Sequence, residues 1–266
     1  MARLTLSEIW IYPIKSLGGI RLTSAKVMPK GLRYDRRWML IDEEGVFITQ
    51  RVHSTMAFFK LALSNDQFTI DYKDEQIHLP ANAAVSSIPV SATIWDDTVE
   101  VFEVLGEYSH WFSLRLGINC RLVYFPEVNQ RPVDEKYRIE NDQVSLADGY
   151  PFLIIGQSSL DDLNSRMANP LPMNRFRPNF VFTGGIPFEE DNWRNFTIGK
   201  SRFAGVKPCG RCVLTTVNQE TAERGTEPLA TLATYRKANN KIYFGQNLLA
   251  LACHEIYEGD NIEMVF

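Results

Sequence analysis

The sequence predicts a mixed α+β fold that is predominantly β and centred on a β-barrel. Most of the 266 residues fall into short apolar or alternating segments bounded by turn residues, which is the pattern of β-strands. Only three segments change to the helical period. The hydrophobic content of 45% and the charged content of 23% are ordinary for a globular protein with a sizeable core. Many strands with few helices favour a barrel-centred architecture.

The N-terminal half consists of predicted strands and one predicted helix. Asn65-Asp66 separates two of the strands, as expected for a hairpin, and a second turn is predicted at 42–45. Tyr108, Trp111 and Phe112 recur at helical spacing, which predicts a helix over 107–116 with Trp111 and Phe112 in the core. The predicted strands of this half are 4–12, 37–41, 46–50, 58–64, 67–72, 76–80, 90–94, 98–104 and 120–125.

A polar, proline-containing segment follows at 126–141 and predicts a connector or a flexible active-site loop. We place a domain boundary there, giving domains 1–125 and 126–266. Beyond it, Ser158 or Ser159 is expected to cap a helix over 158–167, and Pro228 to precede a helix over 229–237. The predicted strands of this half are 151–156, 179–182, 197–203, 213–217, 242–250 and 260–265.

Charge and cysteine usage exclude some classes of protein. The formal net charge of −4 gives no reason to expect non-specific nucleic-acid binding. No run approaches the roughly 20 apolar residues that a membrane-spanning helix needs, and no export signal is visible. Because the four cysteines form no disulfide pattern, we expect a protein of the reducing cytoplasm.

The pair Cys209-x-x-Cys212 carries the strongest chemical signal. Lys207 and Arg211 flank the two thiols and favour the thiolate, which is the reactive and metal-binding form. A single thiolate there is suited to bind a transition metal softer than magnesium or calcium.

Other interpretations of the pair stay open on spacing alone. A zinc site needs about four ligands, whereas Cys120 is isolated and only Cys253-His254 offers a second group. A thioredoxin-like pair should precede a helix, but 213–217 is predicted to be a strand. A disulfide would suit a secreted protein, and two buried, inert cysteines would be the simplest case.

Several polar residues are suited to bind an anion. Lys15-Ser16 precedes Gly18-Gly19, a turn that can bring backbone amides close to an anion. Arg36 precedes a predicted strand, and Arg177 and Asn179 flank the start of another. Arginine presents a planar set of donors that fits phosphate. Taken one at a time, each is equally explained as a solvated or paired surface residue.

The chain resembles the MOSC family, the molybdenum cofactor sulfurase C-terminal domain, and more closely the branch with the mitochondrial amidoxime-reducing component and its bacterial relatives. The segments that carry the resemblance occur in family order and span nearly the whole chain. They are 12–16, 34–40, 151–155, 174–179, 207–217, 227–229, 231–232, 235–236 and 244–247.

This resemblance implies a MOSC β-barrel domain packed with an N-terminal MOSC_N domain, and a bound molybdenum cofactor. It implies that Cys212 is the metal ligand and that Cys209 is structural or close to the metal without binding it. Asp148 is implied to handle protons or to anchor the pterin. Relatives carry hydroxyl residues after this aspartate, where this chain has Gly149 and Tyr150. The positions matching the family's cofactor contacts are Lys15, Ser16, Arg36, Asp148, Gly149, Arg177, Asn179 and Cys212.

The implied activity is reduction of amidoximes, hydroxylamines or N-hydroxylated bases. Electrons are expected from a separate partner of the ferredoxin or cytochrome and flavoprotein reductase type, since the cysteines of an iron–sulfur domain are missing. Two alternatives remain. One is a cofactor or sulfur carrier that acts through a Cys212 persulfide, and the other is a non-catalytic β-barrel binding module with both cysteines buried.

Overall fold

Nineteen strands and three α-helices make up the regular structure of residues 3–265, which the computed structural model describes. The outer limits of the two predicted domains, residues 1 and 266, lie outside this range. The helices are α1 (Tyr108–Leu116), α2 (Gln157–Ser165) and α3 (Leu229–Ala233). The strands are β1 (Thr5–Ile11), β2 (Ile20–Leu22), β3 (Ser24–Met28), β4 (Gly31–Leu32), β5 (Trp38–Ile41), β6 (Phe59–Ser64), β7 (Gln67–Tyr72), β8 (Glu75–Pro80), β9 (Val85–Ile94), β10 (Asp97–Val104), β11 (Arg121–Tyr124), β12 (Phe152–Gly156), β13 (Phe180–Thr183), β14 (Asn195–Ile198), β15 (Ser201–Arg211), β16 (Lys237–Ala238), β17 (Lys241–Ala252), β18 (Glu255–Tyr257) and β19 (Ile262–Met264).

The strands form one large sheet and three small ones. The large sheet has the order β19-β14-β15-β17-β12-β13-β1-β2, with β16 paired to β17. The small sheets are β5-β11-β10-β9, β18-β3-β4 and β6-β7-β8. The mixed, mostly β class is thus confirmed, but the expected closed barrel is not, because no sheet within residues 3–265 closes on itself. An isolated bridge between Thr5 and Asn261 joins β1 to the residue before β19.

The two halves of the chain share sheets. β1 pairs antiparallel with β13, which in turn lies parallel to β12, so an N-terminal strand extends a sheet built from the C-terminal half. Conversely, β18 from the end of the chain pairs with β3. The connector 126–141 contains no named helix or strand. Loops that precede and follow these shared strands therefore meet in one place, which is where the site lies.

Aromatic side chains fill the core of the large sheet and of the N-terminal half. Phe152 stacks on Phe180 with ring centroids 5.6 Å apart, and Phe203 meets both edge-on. Edge-to-face and offset pairs of this kind add to the free energy gained by burial. Trp111 and Phe112 of α1 are 8% and 0% exposed, which confirms the prediction that both lie in the core.

The hairpin between β6 and β7 has the predicted turn, since Asn65 and Asp66 both take the left-handed conformation. Other strand predictions differ from the structure. The predicted strand 46–50 forms only isolated bridges, at Val46 and Phe47. The stretch 197–203 was expected as one strand but turns at Gly199 and Lys200 to form the β14–β15 hairpin. The sequence analysis did not predict β2, β3 and β4. Each is at most five residues long, too short to show a clear alternation of apolar and polar residues.

The residues after Cys212 form a 3-10 helix, Val213–Thr216, and not the predicted strand. The hydroxyl of Thr215 donates to the carbonyl of Cys212 at 2.9 Å, and that of Thr216 donates to the carbonyl of Val213 at 2.8 Å. Such local hydrogen bonds compete with strand pairing, so these threonines favour a turn in spite of their β-branched side chains.

The predicted cap of α2 is also wrong. Gly156 occupies the N-cap position, and neither Ser158 nor Ser159 caps the helix. The carboxylate of Glu190 accepts hydrogen bonds from the Gly156 amide at 3.1 Å and from the Ser159 hydroxyl at 2.9 Å. A distant, buried acidic residue thus replaces the local cap.

Candidate functional site

A cavity of about 820 Å³ opens between the loops of the two halves. The N-terminal half supplies loops that follow β1, β4, β5 and β9, and the C-terminal half supplies the connector end, the loop before β13 and the end of β15. Every residue that the sequence analysis named as a cofactor contact lines this cavity. They are Lys15, Ser16, Arg36, Asp148, Gly149, Arg177, Asn179 and Cys212.

Cys212 lies at the cavity wall because β15 ends at Arg211 and the chain then turns into the 3-10 helix. Its sulfur accepts a hydrogen bond from Nε of Arg51 at 3.2 Å. Cys209 lines the same cavity, and its sulfur accepts from Nη1 of Arg211 at 3.0 Å. Lys207 lies over the ring of Tyr137, so the cations next to the pair in sequence do not contact Cys212.

The Cys212 sulfur belongs to no ready-made metal cluster. Among residues 3–265, no group of three or more histidine, cysteine, aspartate or glutamate side chains converges to hold an ion. A four-ligand zinc site at Cys209 and Cys212 therefore has no support. One protein thiolate that completes a cofactor-held metal remains compatible with this arrangement.

Arg51 is the central residue that the sequence analysis missed. Besides contacting Cys212, its guanidinium donates to Asp148 Oδ2 at 2.5 Å and to Thr49 Oγ1 at 3.1 Å. It also lies 4.6 Å from the ring centroid of Trp95. Arg51 follows Thr49-Gln50 in an irregular loop, so no hydrophobic periodicity pointed to it. The one feature of the sequence that could have drawn attention to Arg51 is the run of polar residues beside the predicted hairpin.

Lys15 and Asp148 form an ion pair across the two halves. Nζ of Lys15 donates to Asp148 Oδ1 and to the carbonyl of Leu146, both at 2.7 Å. Burial lowers the pKa of Lys15 to about 8, although the neighbouring carboxylate opposes that shift. Burial alone would raise the pKa of Asp148, but Lys15 and Arg51 outweigh it and hold the pKa well below its usual range. At neutral pH Asp148 is thus a carboxylate that links two cations.

A second cationic group surrounds Tyr12. The guanidinium carbons of Arg36 and Arg177 lie 4.3 and 4.2 Å from the centroid of its ring. Nη1 of Arg36 donates to the buried carboxylate of Asp35 at 2.7 Å and to Asn179 Oδ1 at 3.3 Å. Asp35 therefore fixes Arg36 in the wall of the cavity.

Arg177 has no such partner. It is 8% exposed, and its side chain makes no ion pair with any carboxylate of residues 3–265. Burial lowers the pKa of Arg177 to about 10. A buried cation without a counter-ion is costly, so the site is suited to take up an anion there.

Three of the cavity residues have a strained backbone. Ser16, Arg36 and Arg177 take positive φ angles of 68°, 50° and 55°. Residues other than glycine rarely adopt this left-handed conformation, and such residues concentrate at binding and catalytic sites.

The interpretation of Gly18 and Gly19 as an anion-binding turn needs correction. A side chain at Gly18 would lie 2.7 Å from the carbonyl oxygen of Phe59, and one at Gly19 would lie 2.5 Å from the ring of Tyr12. Neither glycine is among the cavity-lining residues. Their small size serves packing beneath the site. Gly149 does line the cavity, and a side chain there would meet nothing within 4 Å.

Among the described residues, no helix combines the length and apolar character needed to cross a bilayer.

Comparison with known proteins gives the family. Residues 3–119 match the family model of the MOSC N-terminal beta barrel domain, and residues 141–263 match that of the MOSC domain. Mitochondrial amidoxime-reducing component 1 of Mus musculus is 33% identical over 244 residues, which cover 87% of this chain and 71% of that protein. The Homo sapiens protein of the same name is 30% identical over 98% of this chain and 83% of its own length.

Molybdenum cofactor sulfurase of Oryza sativa subsp. japonica is 29% identical over 96% of this chain, which spans 33% of that sulfurase. The two domain matches and the amidoxime-reducing relatives agree with the resemblance of the sequence to the MOSC family. The chain therefore belongs to the MOSC-domain family, in the arrangement in which a MOSC N-terminal domain precedes the MOSC domain.

Proposed function

We propose that this protein binds the molybdenum cofactor and reduces N-hydroxylated compounds such as amidoximes, hydroxylamines and N-hydroxylated bases. The cofactor is a pterin dithiolene that carries a phosphate, and when bound it supplies a two-electron redox centre. The observation that carries the proposal is Arg177, a buried cation without a counter-ion, in the same cavity as the thiol of Cys212. A ligand that brings both an anion and a thiolate-binding metal satisfies both groups.

The cationic residues would hold the phosphate. Arg36 and Arg177 present guanidinium donors beside Asn179, whose amide nitrogen donates to the carbonyl of Trp10 at 3.1 Å. Lys15 and Ser16 face the cavity from the loop after β1. This set fits a phosphate by charge and by donor count.

Cys212 would be the protein's metal ligand, and Asp148 and Gly149 would contact the pterin edge. The low pKa of Asp148 favours anchoring over proton donation. Cys209 is fixed by Arg211 and would play a structural role.

The relatives named for amidoxime reduction support this activity, and their names give the substrate class for the first assay. We also propose that a separate electron-donor protein supplies the electrons for this reaction. The proposed location of the protein is the cytoplasm.

The test is molybdenum and pterin content after expression in a cofactor-replete host, followed by benzamidoxime reduction with an artificial reductant. Cys212→Ser should lose molybdenum and activity, because the metal loses its protein ligand. Cys209→Ser is the matched control and should keep most of both. Equal loss of molybdenum from the two variants would contradict the ligand assignment, and equal turnover by molybdenum-free protein would contradict the proposed chemistry.

A second candidate is a carrier that binds the cofactor or relays sulfur as a Cys212 persulfide. The similarity to a molybdenum cofactor sulfurase along 96% of this chain favours it. Cyanide-releasable sulfur on Cys212, in a protein that does not turn over benzamidoxime, would select this candidate instead.

A further inference from the structure

Trp95 is an exposed aromatic residue in the wall of the cavity. Trp95 is 48% exposed, yet three neighbouring residues hold its side chain in place. Arg51 lies 4.6 Å from its ring centroid, Phe47 packs edge-on at 5.1 Å, and its indole N–H donates to Asp148 Oδ1 at 3.3 Å. The structure thus presents a fixed, partly uncovered aromatic surface to the cavity.

The backbone at Trp95 is unfavourable for this residue type. Ile94 and Asp97 are paired, so Trp95 and Asp96 form a two-residue hairpin turn between β9 and β10. Trp95 has φ 57°, a left-handed conformation that hairpin turns usually assign to glycine, asparagine or aspartate. A bulky residue in this conformation is an outlier, and such outliers concentrate at binding sites.

The charge around Trp95 differs from that around Arg177. Asp96, Asp97 and Asp148 all line this end of the cavity. Asp97 is paired with Arg131, and Asp148 with Lys15 and Arg51, whereas Asp96 makes no ion pair within residues 3–265. The unpaired carboxylate of Asp96, next to Trp95 in the turn, suits a ligand that donates N–H groups.

The position of Arg51 connects this surface to the reacting end of the cavity. Its guanidinium lies against Trp95 and also contacts the Cys212 sulfur at 3.2 Å. Arg51 covers one face of the Trp95 ring, so a ligand ring would stack on the part that Arg51 leaves open, in the same cavity as the Cys212 thiol.

We propose that Trp95 and Asp96 form the substrate-binding surface, which selects planar aromatic compounds bearing an amidoxime-type nitrogen group: the ring stacks on Trp95, and the N–H groups face Asp96. This inference rests on the proposed function and gives its substrate class.

Binding without turnover tests the inference. Benzamidoxime carries the ring and acetamidoxime lacks it, and the Kd of each is measured by calorimetry on protein as purified, without reductant. Trp95→Asn removes the ring while asparagine tolerates the left-handed turn, so the variant should fold. Its Kd for benzamidoxime should rise about tenfold, as expected for loss of one stacked ring. Its Kd for acetamidoxime should stay unchanged.

Two further variants control the experiment. Trp95→Phe keeps a stacking ring and should hold the benzamidoxime Kd within about threefold of the unmodified protein. Tyr257→Ala removes an aromatic residue of similar exposure outside the cavity and should change neither Kd.

Three outcomes would overturn the inference: no benzamidoxime binding by the unmodified protein, an equal change for both probes in Trp95→Asn, or loss of molybdenum and pterin from that variant. Loss of molybdenum and pterin would show that the Trp95 ring contacts the pterin and not the substrate. Binding that depends on Trp95 in a protein without reductase activity would contradict the proposed reaction alone.

Discussion

At the scale of single residues, Arg51 organises the site. It contacts the sulfur of Cys212 and the carboxylate of Asp148, two residues 64 positions apart. The sequence analysis named Cys212 as the metal ligand and Asp148 as a residue that handles protons or anchors the pterin. Resemblance to the family identified both, because Cys212 lies in the segment 207–217 and Asp148 shortly precedes the segment 151–155. Arg51 and Trp95 were missed because their roles depend on contacts made by irregular loops, which leave no period in the sequence.

Lys15 should make stability depend on pH in the alkaline range. The pKa of this buried lysine is about 8, below the value of about 10.4 for lysine in an unfolded chain. Between these pH values the unfolded state binds more protons than the folded state, so the free energy of unfolding should rise with pH. The rise attributable to Lys15 should be on the order of 2 kcal/mol.

Urea denaturation of the cofactor-free protein between pH 7.5 and 9.5 measures this rise, and Lys15→Met is the comparison. The variant should show a flatter dependence over the same range. Parallel curves for the two proteins would show that Lys15 keeps an ordinary pKa when folded.

At the scale of elements, local signals predicted strands and hairpins, and long-range contacts decided the exceptions. The β6–β7 hairpin follows from Asn65-Asp66 alone. The start of α2 could not be predicted, because Glu190 takes the place of a serine cap from 31 residues beyond Ser159. The turn after Cys212 was missed because the hydroxyls of Thr215 and Thr216 bond to the backbone.

The contact between Glu190 and α2 predicts a second pH effect, of opposite sign. Burial raises the pKa of Glu190 to about 7, although hydrogen bonds from Gly156 and Ser159 oppose the shift. A glutamate in the unfolded chain has a pKa of about 4.3. Between that pH and pH 7, the folded state therefore binds more protons than the unfolded state. Stability should therefore fall as pH rises through this window.

Glu190→Gln keeps an acceptor for Gly156 and Ser159 and removes the buried charge. At pH 8 it should be more stable than the unmodified protein, by on the order of 2 kcal/mol, and at pH 5 the two should be similar. Chemical denaturation at both pH values measures the difference. Glu189→Gln, at the neighbouring half-buried carboxylate, is the matched control. A variant less stable at pH 8 would contradict the prediction.

At the scale of the whole molecule, the site exists only where the two halves meet. Lys15, Arg36 and Arg51 come from one half, and Arg177 and Cys212 from the other. The mostly β class and the shared location of the eight named residues agree with the sequence analysis. The open sheets do not agree with the expected barrel. Which strands pair is decided by contacts far apart in sequence, such as β1 with β13, and local patterns do not encode such contacts.

The shared sheets predict that the proposed domain 126–266 cannot fold alone. Without β1, the edge of β13 and the hydrophobic residues beneath it would be exposed to solvent. Expressed by itself, this fragment should aggregate or lack cooperative unfolding, and co-expression with 1–125 should restore both solubility and cofactor binding. Circular dichroism and size-exclusion chromatography measure the outcome. A fragment that unfolds cooperatively and retains molybdenum would refute this dependence.

The left-handed backbone at Ser16, Arg36 and Arg177 has a consequence for engineering. Glycine adopts this conformation without steric cost, so a glycine at Arg177 would relieve the backbone and also delete a buried cation that has no counter-ion. At Arg36, by contrast, glycine would leave the buried carboxylate of Asp35 without its cation. A laboratory selection for heat resistance alone would therefore favour variants that have lost the anion site, and thermostabilisation of this protein must be coupled to a screen for ligand retention.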